Sequence, residues 1–323
     1  MLAIVGTVPE EDFPLSEGQV HLEKDRIILG EQRILVNRGT PALLAAAVRI
    51  AEIMDQPFPY AYLVGDTGLG HGSRRLYEHL TGSLGRTDFQ VVTFHYLQPD
   101  VDWHNRVLFA VEEMEPRPIL IADAGFMYAA KMSGQAESYD LFTPDVGELA
   151  FLADEEAPHP FYTRGFILHE DNRIPELIAR AYGHRNASRY LLVKGARDYV
   201  ASAINGIEAT IDHPVEEVLE AMGGTGDTLT GIVSALIVSG MEIREAATLA
   251  AGINRLAGHY ANPTPATQVM EIVMHIPQAL EEILKGAGRT KWLIAAFPLA
   301  PSRPPETCSL KEETRPIKIL VQG

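Results

Sequence analysis

One glycine-rich stretch, Ala221 to Gly231, contains the residue types that phosphoryl transfer needs. A turn crowded with glycines directly precedes Asp227, and an apolar, helix-like segment follows at Ile232 to Val238. Glycines let successive backbone N–H groups point at one anion, and a helix start adds unpaired N–H groups and a positive dipole end. We therefore predict that these N–H groups hold a phosphoryl group while Asp227 orients and deprotonates an attacking hydroxyl.

A purely structural interpretation of this stretch is also open. Asp is favoured at helix N-termini and glycines often precede helices, so a single Gly-Asp pair would indicate only a cap. The crowding of Gly223, Gly224 and Gly226 exceeds what a cap requires. Because ordering so many glycines costs conformational entropy, the density favours a binding loop.

Composition limits the class of protein. The chain has 323 residues, 46% of them hydrophobic, which is typical of a globular protein with a large core. The formal net charge of −16 argues against nucleic-acid binding through a basic face. The single cysteine, Cys308, excludes an internal disulfide and a cysteine-rich zinc site. We expect an enzyme that acts on a small molecule.

The sequence also bears on location and assembly. No apolar run reaches the roughly 18 residues of a membrane helix. The opening Met1 to Val5 lacks the basic flank of a signal peptide. We expect a cytoplasmic protein without membrane contact, and the sequence leaves a homo-oligomer open.

Strand-like and helix-like segments alternate along the chain, which predicts one doubly wound α/β domain with a mostly parallel sheet. We place this domain at residues 37–286. Residues 1–36 contain a predicted hairpin and are expected to form an N-terminal β extension, and residues 287–323 a C-terminal extension. The segment 154–173 has no clear period and is interpreted as a long surface excursion that could serve as a lid.

Three further candidate positions follow predicted strands, where open α/β sheets bind ligands. The strand Tyr60 to Val64 leads into a loop with Gly68 and Gly70, which a tight turn would also explain. Asp123 follows an apolar strand and serves either as a helix cap or as a site residue. Lys194, followed by Gly195, ends another strand, where it is either a solvated strand end or a phosphate ligand.

Two helix starts offer similar alternatives. Asp145 and Glu148 lie three residues apart, which suits a capping box but would also place two carboxylates where they hold Mg²⁺ through water. Gly39 precedes a helix that we predict to have Thr40 as its cap and Pro41 at its first position.

The block from Gly223 to Gly231 reads Gly-Gly-Thr-Gly-Asp-Thr-Leu-Thr-Gly. It resembles the anion-hole and catalytic-Asp motif of the ribokinase-like superfamily, and is most similar to its ADP/ATP-dependent NAD(P)H-hydrate dehydratase branch. The resemblance runs from about Gly39 to Ala261. Other landmarks occur in the family's order: Gly68-Leu69-Gly70, Ala122-Asp123, Thr143-Pro144 with Gly147-Glu148, and Val193-Lys194-Gly195.

This resemblance implies a ribokinase-like fold and a nucleotide-driven repair of hydrated nicotinamide dinucleotide, in which the added hydroxyl is phosphorylated and phosphate is eliminated. It implies that Asp227 is the base and that ATP or ADP is used with Mg²⁺. Nucleotide-side residues would be Gly223, Gly224, Thr225, Gly226, Lys194 and Gly195. Substrate-side residues would be Gly39, Gly68, Gly70, Asp123 and Asp145, with Glu148 on Mg²⁺ through water.

The chain departs from the family pattern mainly on the substrate side. Asp66-Thr67-Gly68-Leu69-Gly70 stands for the usual Gly-Pro-Gly-Leu-Gly, Ile121-Ala122-Asp123 for Asp-Ala-Asp, and Asp145-Val146-Gly147-Glu148 for His-Pro-Gly-Glu. Three interpretations therefore remain: the dehydratase, a kinase of a small alcohol such as a sugar or vitamin precursor, and a nucleotide-binding regulator with reduced turnover.

Overall fold

The computed structural model describes residues 1–157 and 173–285. The lid predicted at 154–173 lies mostly outside the described residues, and Cys308 and the predicted C-terminal extension lie wholly outside them. Within the described residues, no helix is both long enough and apolar enough to cross a membrane.

A nine-stranded sheet organises the chain, in the order β12-β11-β10-β9-β8-β7-β1-β6-β2. The six strands from β10 to β6 in this order are parallel, whereas β11, β12 and β2 are antiparallel to their neighbours. The short strands β3, β4 and β5 form a separate antiparallel sheet. The strands are β1 Leu2–Val8, β2 Ser16–Gln19, β3 His21–Glu23, β4 Arg26–Leu29, β5 Gln32–Leu35, β6 Tyr60–Gly65, β7 Val91–His95, β8 Ile119–Ala122, β9 Leu141–Phe142, β10 Tyr190–Val193, β11 Asp198–Ser202 and β12 Gly206–Ile211.

Helices cover both faces of the large sheet. Side chains of β1 alternate between two hydrophobic cores: Leu2 and Ile4 belong to one, Ala3 and Val5 to the other. Helices α1, α7, α8 and α9 pack in the first core and α2 to α6 in the second. The helices are α1 Thr40–Ile53, α2 His71–Ser83, α3 Val101–Glu112, α4 Phe126–Met132, α5 Val146–Ala153, α6 Ile174–Gly183, α7 Thr225–Val238, α8 Ile243–Tyr260 and α9 Val269–Lys285. The predicted doubly wound, mostly parallel α/β fold is confirmed.

The N-terminal residues differ from the prediction. Residues 1–36 do not form a separate extension, because β1 lies in the middle of the large sheet, paired in parallel with β6 and β7. Its uninterrupted apolar run is buried on both faces, as expected of a central parallel strand. The predicted hairpin is present as β3 and β4.

The start of α1 also differs from the prediction. The N-cap is Gly39, with φ of 68°, and Thr40 is the first helical residue. Thr40 is fully buried above β1, and a β-carbon at Gly6 would lie 2.4 Å from its Oγ1. The Thr40 hydroxyl lies 3.0 Å from Nδ1 of His95, and Thr40 is not the cap of its own helix.

Candidate active site

The carboxyl ends of the parallel strands meet at one edge of the sheet, where a cleft of about 1070 Å³ opens. His95 ends β7, Asp123 follows β8, and Lys194 follows β10. Asp227 comes from the first turn of α7, whose N-terminus faces the same edge. The cleft lies at the edge where open α/β sheets bind ligands.

Asp227 is buried and held at both carboxylate oxygens. The N–H of Gly39 donates to Oδ2 at 2.6 Å, and Nε2 of His95 lies 3.0 Å from Oδ1. The side chain is 9% exposed, within the wall of the cleft. Burial by itself would raise the pKa of this carboxyl, but the hydrogen bond from His95, the charge of Lys194 and the Gly39 N–H lower the pKa below its usual value. Asp227 is therefore ionised at neutral pH, as a base must be.

Asp123 and Lys194 form a second charged pair beside Asp227. Lys194 Nζ lies 2.9 Å from both carboxylate oxygens of Asp123, and the Thr230 hydroxyl donates to Oδ2 at 2.6 Å. Burial would lower the pKa of Lys194, but Asp123, Glu148 and Asp227 together raise it. The Lys194 ammonium is thus firmly charged and offers a cation at the cleft wall.

The glycine turn before α7 leaves backbone donors free. Gly224 is the N-cap, with φ of 103°, a left-handed conformation that favours glycine. The N–H groups of Thr225, Gly226 and Asp227 donate to no acceptor in the described part of the chain. A β-carbon at Gly226 would lie 3.5 Å from Lys194 Nζ, so this ammonium sits directly beside the free N–H groups. Helix N–H groups next to a lysine suit an anion such as phosphate.

Asp145 and Glu148 form the capping box that was one of their two predicted interpretations. Glu148 N–H donates to Asp145 Oδ1 at 2.7 Å, and Asp145 N–H to Glu148 Oε2 at 2.8 Å. The Tyr128 hydroxyl donates to the other Glu148 oxygen at 2.9 Å. Burial first, then Asp145 and Asp123, raises the pKa of Glu148 to about 8. Both residues line the cleft, which is compatible with the predicted role of Glu148 on Mg²⁺ and of Asp145 on the substrate. These two roles remain predictions.

Arg255 of α8 fixes the loop that contains Gly195. Its Nε donates to Asp198 Oδ2 at 2.7 Å, and its guanidinium also donates to the carbonyls of Gly195 and Ala196 at 2.9 and 3.0 Å. The N–H of Gly195 donates back to Asp198 at 3.1 Å. These hydrogen bonds connect the cleft wall after β10 to α8. Arg255 lies far along the chain from Gly195, so the sequence did not indicate it.

The second glycine loop, between β6 and α2, already holds a carboxylate. Asp66 Oδ1 accepts from the N–H groups of Gly68 and Gly70 at 2.9 and 3.0 Å. Asp66 Oδ2 accepts from the N–H and hydroxyl of Ser73 at 2.8 and 2.7 Å. Three backbone donors of this loop, the N–H groups of Gly68, Gly70 and Ser73, are thus satisfied by the protein itself. The substrate roles of Gly68 and Gly70 stay predictions, and neither residue lines the cleft.

The structure brings most of the predicted site residues together. Those that line the cleft are Asp123, Asp145, Glu148, Lys194, Gly195, Gly224, Thr225, Gly226 and Asp227. Gly39 contacts Asp227 directly, whereas Gly223 lies against Arg38 outside the lining. His95 was not predicted, because it ends a buried apolar strand and only its position at the sheet edge distinguishes it. The described residues contain no group of three or more His, Cys, Asp or Glu side chains arranged to hold a metal ion.

This fold and site define a ribokinase-like α/β protein. A family profile described as NAD(P)H-hydrate dehydratase matches residues 98–279, more than half of the chain. The chain therefore belongs to the NAD(P)H-hydrate dehydratase family and is an enzyme of this type.

Individual relatives and one solved structure are similar to the chain to different extents. The chain is 41% identical over 244 residues to an uncharacterised protein of Methanocaldococcus jannaschii, covering 75% of this chain and all of that protein. Over 71 residues it is 41% identical to the bifunctional NAD(P)H-hydrate repair enzyme Nnr of Hyperthermus butylicus, covering 21% of this chain but 13% of that enzyme. The fold is similar to the ADP/ATP-dependent NAD(P)H-hydrate dehydratase from Bacillus subtilis, co-crystallised with ATP and Mg²⁺, with a TM-score of 0.53, 14% identity, and 87% and 89% of the two chains covered.

Proposed function

We propose that this protein converts hydrated NADH or NADPH back to the reduced cofactor, using ATP or ADP as phosphoryl donor with Mg²⁺. One observation carries the proposal. An ionised carboxylate, Asp227, lies in the same cleft wall as the unpaired N–H groups at the start of α7. The carboxylate serves as the base and the N–H groups as the phosphoryl site, within the segment that matches the family.

The nucleotide would bind on the side of the cleft formed by α7 and the loop after β10. The N–H groups of Thr225 and Gly226, with the Lys194 ammonium beside them, suit the transferring phosphoryl group. Arg255 keeps the loop at Gly195 rigid, so this wall is organised before a ligand arrives. A preorganised wall reduces the cost of ordering on binding.

Magnesium would be held mainly by nucleotide phosphates, as is usual for this ion in phosphoryl transfer. Both Glu148 oxygens accept hydrogen bonds, and its pKa is raised to about 8, so a full charge there requires a nearby cation. Bound Mg²⁺ neutralises charge on the phosphates and orients the group that is transferred. Glu148 and Asp145 would contact the ion through water.

In the first step Asp227 accepts the proton of the substrate hydroxyl as the oxygen attacks the terminal phosphorus of the nucleotide. The P–O bond to the rest of the nucleotide breaks, so ADP leaves when ATP is the donor and AMP leaves when ADP is the donor. The N–H groups at the start of α7 stabilise the charge on the transferring phosphoryl group. In the resulting ester the leaving group is phosphate, which leaves more readily than hydroxide. Loss of phosphate with a neighbouring proton then restores the double bond of the dihydronicotinamide ring.

A kinase of a small alcohol is the second candidate, and the loop after β6 favours it. Asp66 satisfies the N–H groups of Gly68 and Gly70, so a large anionic substrate gains no free backbone donor there. Asp227 and the N–H groups of α7 would catalyse phosphorylation of the hydroxyl in the same way for a hydrated dinucleotide or a small alcohol. Substrate contacts decide between the two, since a few polar groups in a pocket change discrimination by about 10⁴-fold.

The deciding experiment incubates the protein with hydrated NADH, Mg²⁺ and either ATP or ADP, and follows recovery of the nicotinamide absorbance. We expect recovery that requires both nucleotide and Mg²⁺ and that is lost in Asp227→Asn. A parallel panel of sugars and vitamin precursors is assayed for phosphorylation. Phosphorylation of a panel member without NADH recovery would establish the kinase instead, and tight nucleotide binding without either reaction would indicate a regulator.

A further inference from the structure

Asp227 is held by parts of the fold that lie far from its glycine loop. The N–H of Gly39, at the start of α1, donates to one of its oxygens, and Nε2 of His95, at the end of β7, lies 3.0 Å from the other. His95 is fully buried, so its ring reaches no solvent. The only polar groups that its two nitrogens face in the described part of the chain are Thr40, Asp123 and Asp227.

The neighbours of His95 define which nitrogen carries the proton. Nε2 faces two carboxylate oxygens, of Asp227 at 3.0 Å and of Asp123 at 3.9 Å. Carboxylates only accept hydrogen bonds, so the proton belongs on Nε2. In the neutral imidazole Nδ1 then accepts from the Thr40 hydroxyl, which lies 3.0 Å away. The result is a directed chain in which Thr40 donates to His95 and His95 donates to Asp227.

We propose that His95, oriented by Thr40, is a positioning residue for Asp227, holding one carboxylate oxygen so that the remaining lone pairs face the substrate hydroxyl. The inference rests on the proposed role of Asp227 as base. A group held at one oxygen by His95 and at the other by Gly39 has no freedom to rotate. Fixed geometry of this kind is a large part of catalytic rate, and misplacement by about 1 Å costs about 10²-fold.

The same contact keeps Asp227 ionised in a buried place. Burial raises the pKa of this carboxyl, and the hydrogen bond from His95 is the first of the effects that lower it. The other titratable groups in this part of the cleft are Tyr96, Asp123, Glu148 and Lys194. Lys194 favours the ionised form of Asp227, but it is paired with Asp123. Without the Nε2 donor, protonation of Asp227 therefore moves to higher pH.

A matched pair of substitutions tests the donor itself. In His95→Gln the amide nitrogen takes the place of Nε2 and still reaches Asp227, whereas in His95→Asn it takes the place of Nδ1 and does not. Two measurements are made on both variants and on the unmodified protein: NMR titration of aspartate labelled with ¹³C at the carboxyl, and the pH profile of kcat/KM. The Asp227 signal is assigned by its absence in Asp227→Asn.

We expect the Asp227 carboxyl of His95→Asn to titrate at higher pH than in the unmodified protein, and the acid limb of its pH profile to move the same way. Its kcat should fall by about 10- to 100-fold, with the nucleotide KM little changed. His95→Gln should keep the original titration and most of the rate. A role in packing alone would lower stability in both variants without moving the titration.

An unchanged carboxyl titration in His95→Asn would overturn the inference. If His95→Asn does not fold, Thr40→Val decides, because it frees the imidazole to change tautomer. We expect Thr40→Val to shift the titration in the same direction but less, and no shift would reject the proposal. Absence of turnover in the unmodified protein would reject the proposed function, whereas the NMR titration would still decide the role of His95.

Discussion

Two helices of this protein, α2 and α7, begin after similar glycine turns but use them differently. Each has a left-handed glycine as its N-cap, Gly70 with φ of 82° and Gly224 with φ of 103°. Before α2, the carboxylate of Asp66 accepts from the N–H groups of Gly68, Gly70 and Ser73. Before α7, the N–H groups stay free, because Asp227 turns its carboxylate toward His95 and Gly39.

The difference follows from where the carboxylate stands in each turn. Asp66 precedes its glycines and folds forward onto their N–H groups, as short acidic side chains do in turns. Asp227 follows its glycines and lies on the helix, from which its side chain reaches elements distant in sequence. A glycine-rich helix start is thus available to a ligand only when no local side chain satisfies it. Substitutions in the two turns test this contrast.

The largest effect is expected for Asp227→Asn. The amide keeps the size of the side chain but is not a base, so kcat should fall by about 10²- to 10⁴-fold. Nucleotide affinity and thermal unfolding should stay close to those of the unmodified protein. Steady-state kinetics and calorimetry measure these quantities, and turnover within a few-fold of the unmodified rate would make Asp227 a structural residue like Asp66.

Gly226→Val should weaken nucleotide binding by about 10- to 100-fold. The branched side chain would cover the free N–H groups and press against Lys194, whose Nζ lies 3.5 Å from the β-carbon position. Calorimetric titration with ATP and with ADP measures the loss. Gly68→Asn in the other loop is the matched control, since Asn adopts positive φ more readily than most residues; the φ of 98° strains the loop, but the variant should bind nucleotide normally. If Gly226→Val and Gly68→Asn bound nucleotide with equal affinity, the phosphate would not bind at the start of α7.

Asp66→Ala should affect stability and leave nucleotide affinity unchanged. Removing the carboxylate leaves the N–H groups of Gly68, Gly70 and Ser73 without their acceptor, which should cost about 1 kcal/mol in the free energy of unfolding. Urea unfolding measures this cost, and Asp66→Asn, which keeps one acceptor oxygen, should lose less. If Asp66→Ala bound nucleotide differently, the loop would belong to the ligand site.

The smallest effect is expected for the pH dependence of the stability that the Asp66 carboxylate contributes, and its direction can be derived. Burial raises the pKa of Asp66, but hydrogen bonds from Ser73, Gly70 and Gly68 outweigh it and lower the pKa below 3.8. The stabilisation is therefore complete above pH 3.8 and is lost as the pH falls through the lower folded-state pKa. The stability difference between the unmodified protein and Asp66→Ala should shrink in that acidic range, and a constant difference would contradict the hydrogen-bond assignment.

Sequence alone predicted the parts of the site that depend on local pattern. Asp123 and Lys194 follow apolar strands, and Asp227 follows a glycine cluster, so their places at the sheet edge could be deduced from neighbouring residues. His95 and Thr40 could not, because their role depends on contacts with Asp227 and with each other across the fold. The fold class was predictable from the alternation of strands and helices, whereas the pairing of β1 with distant strands was not.

The middle position of β1 has a consequence for how the chain is made. Ala3 pairs with Tyr60 on one side and Val92 on the other, so this strand leaves the ribosome long before either neighbour. Until β6 and β7 have been synthesised, both edges of this apolar strand are unpaired, which favours aggregation or binding by a chaperone. Slow translation before residue 95, or deletion of residues 2–8, should therefore reduce the yield of folded protein more than comparable changes near the sheet edge at β12.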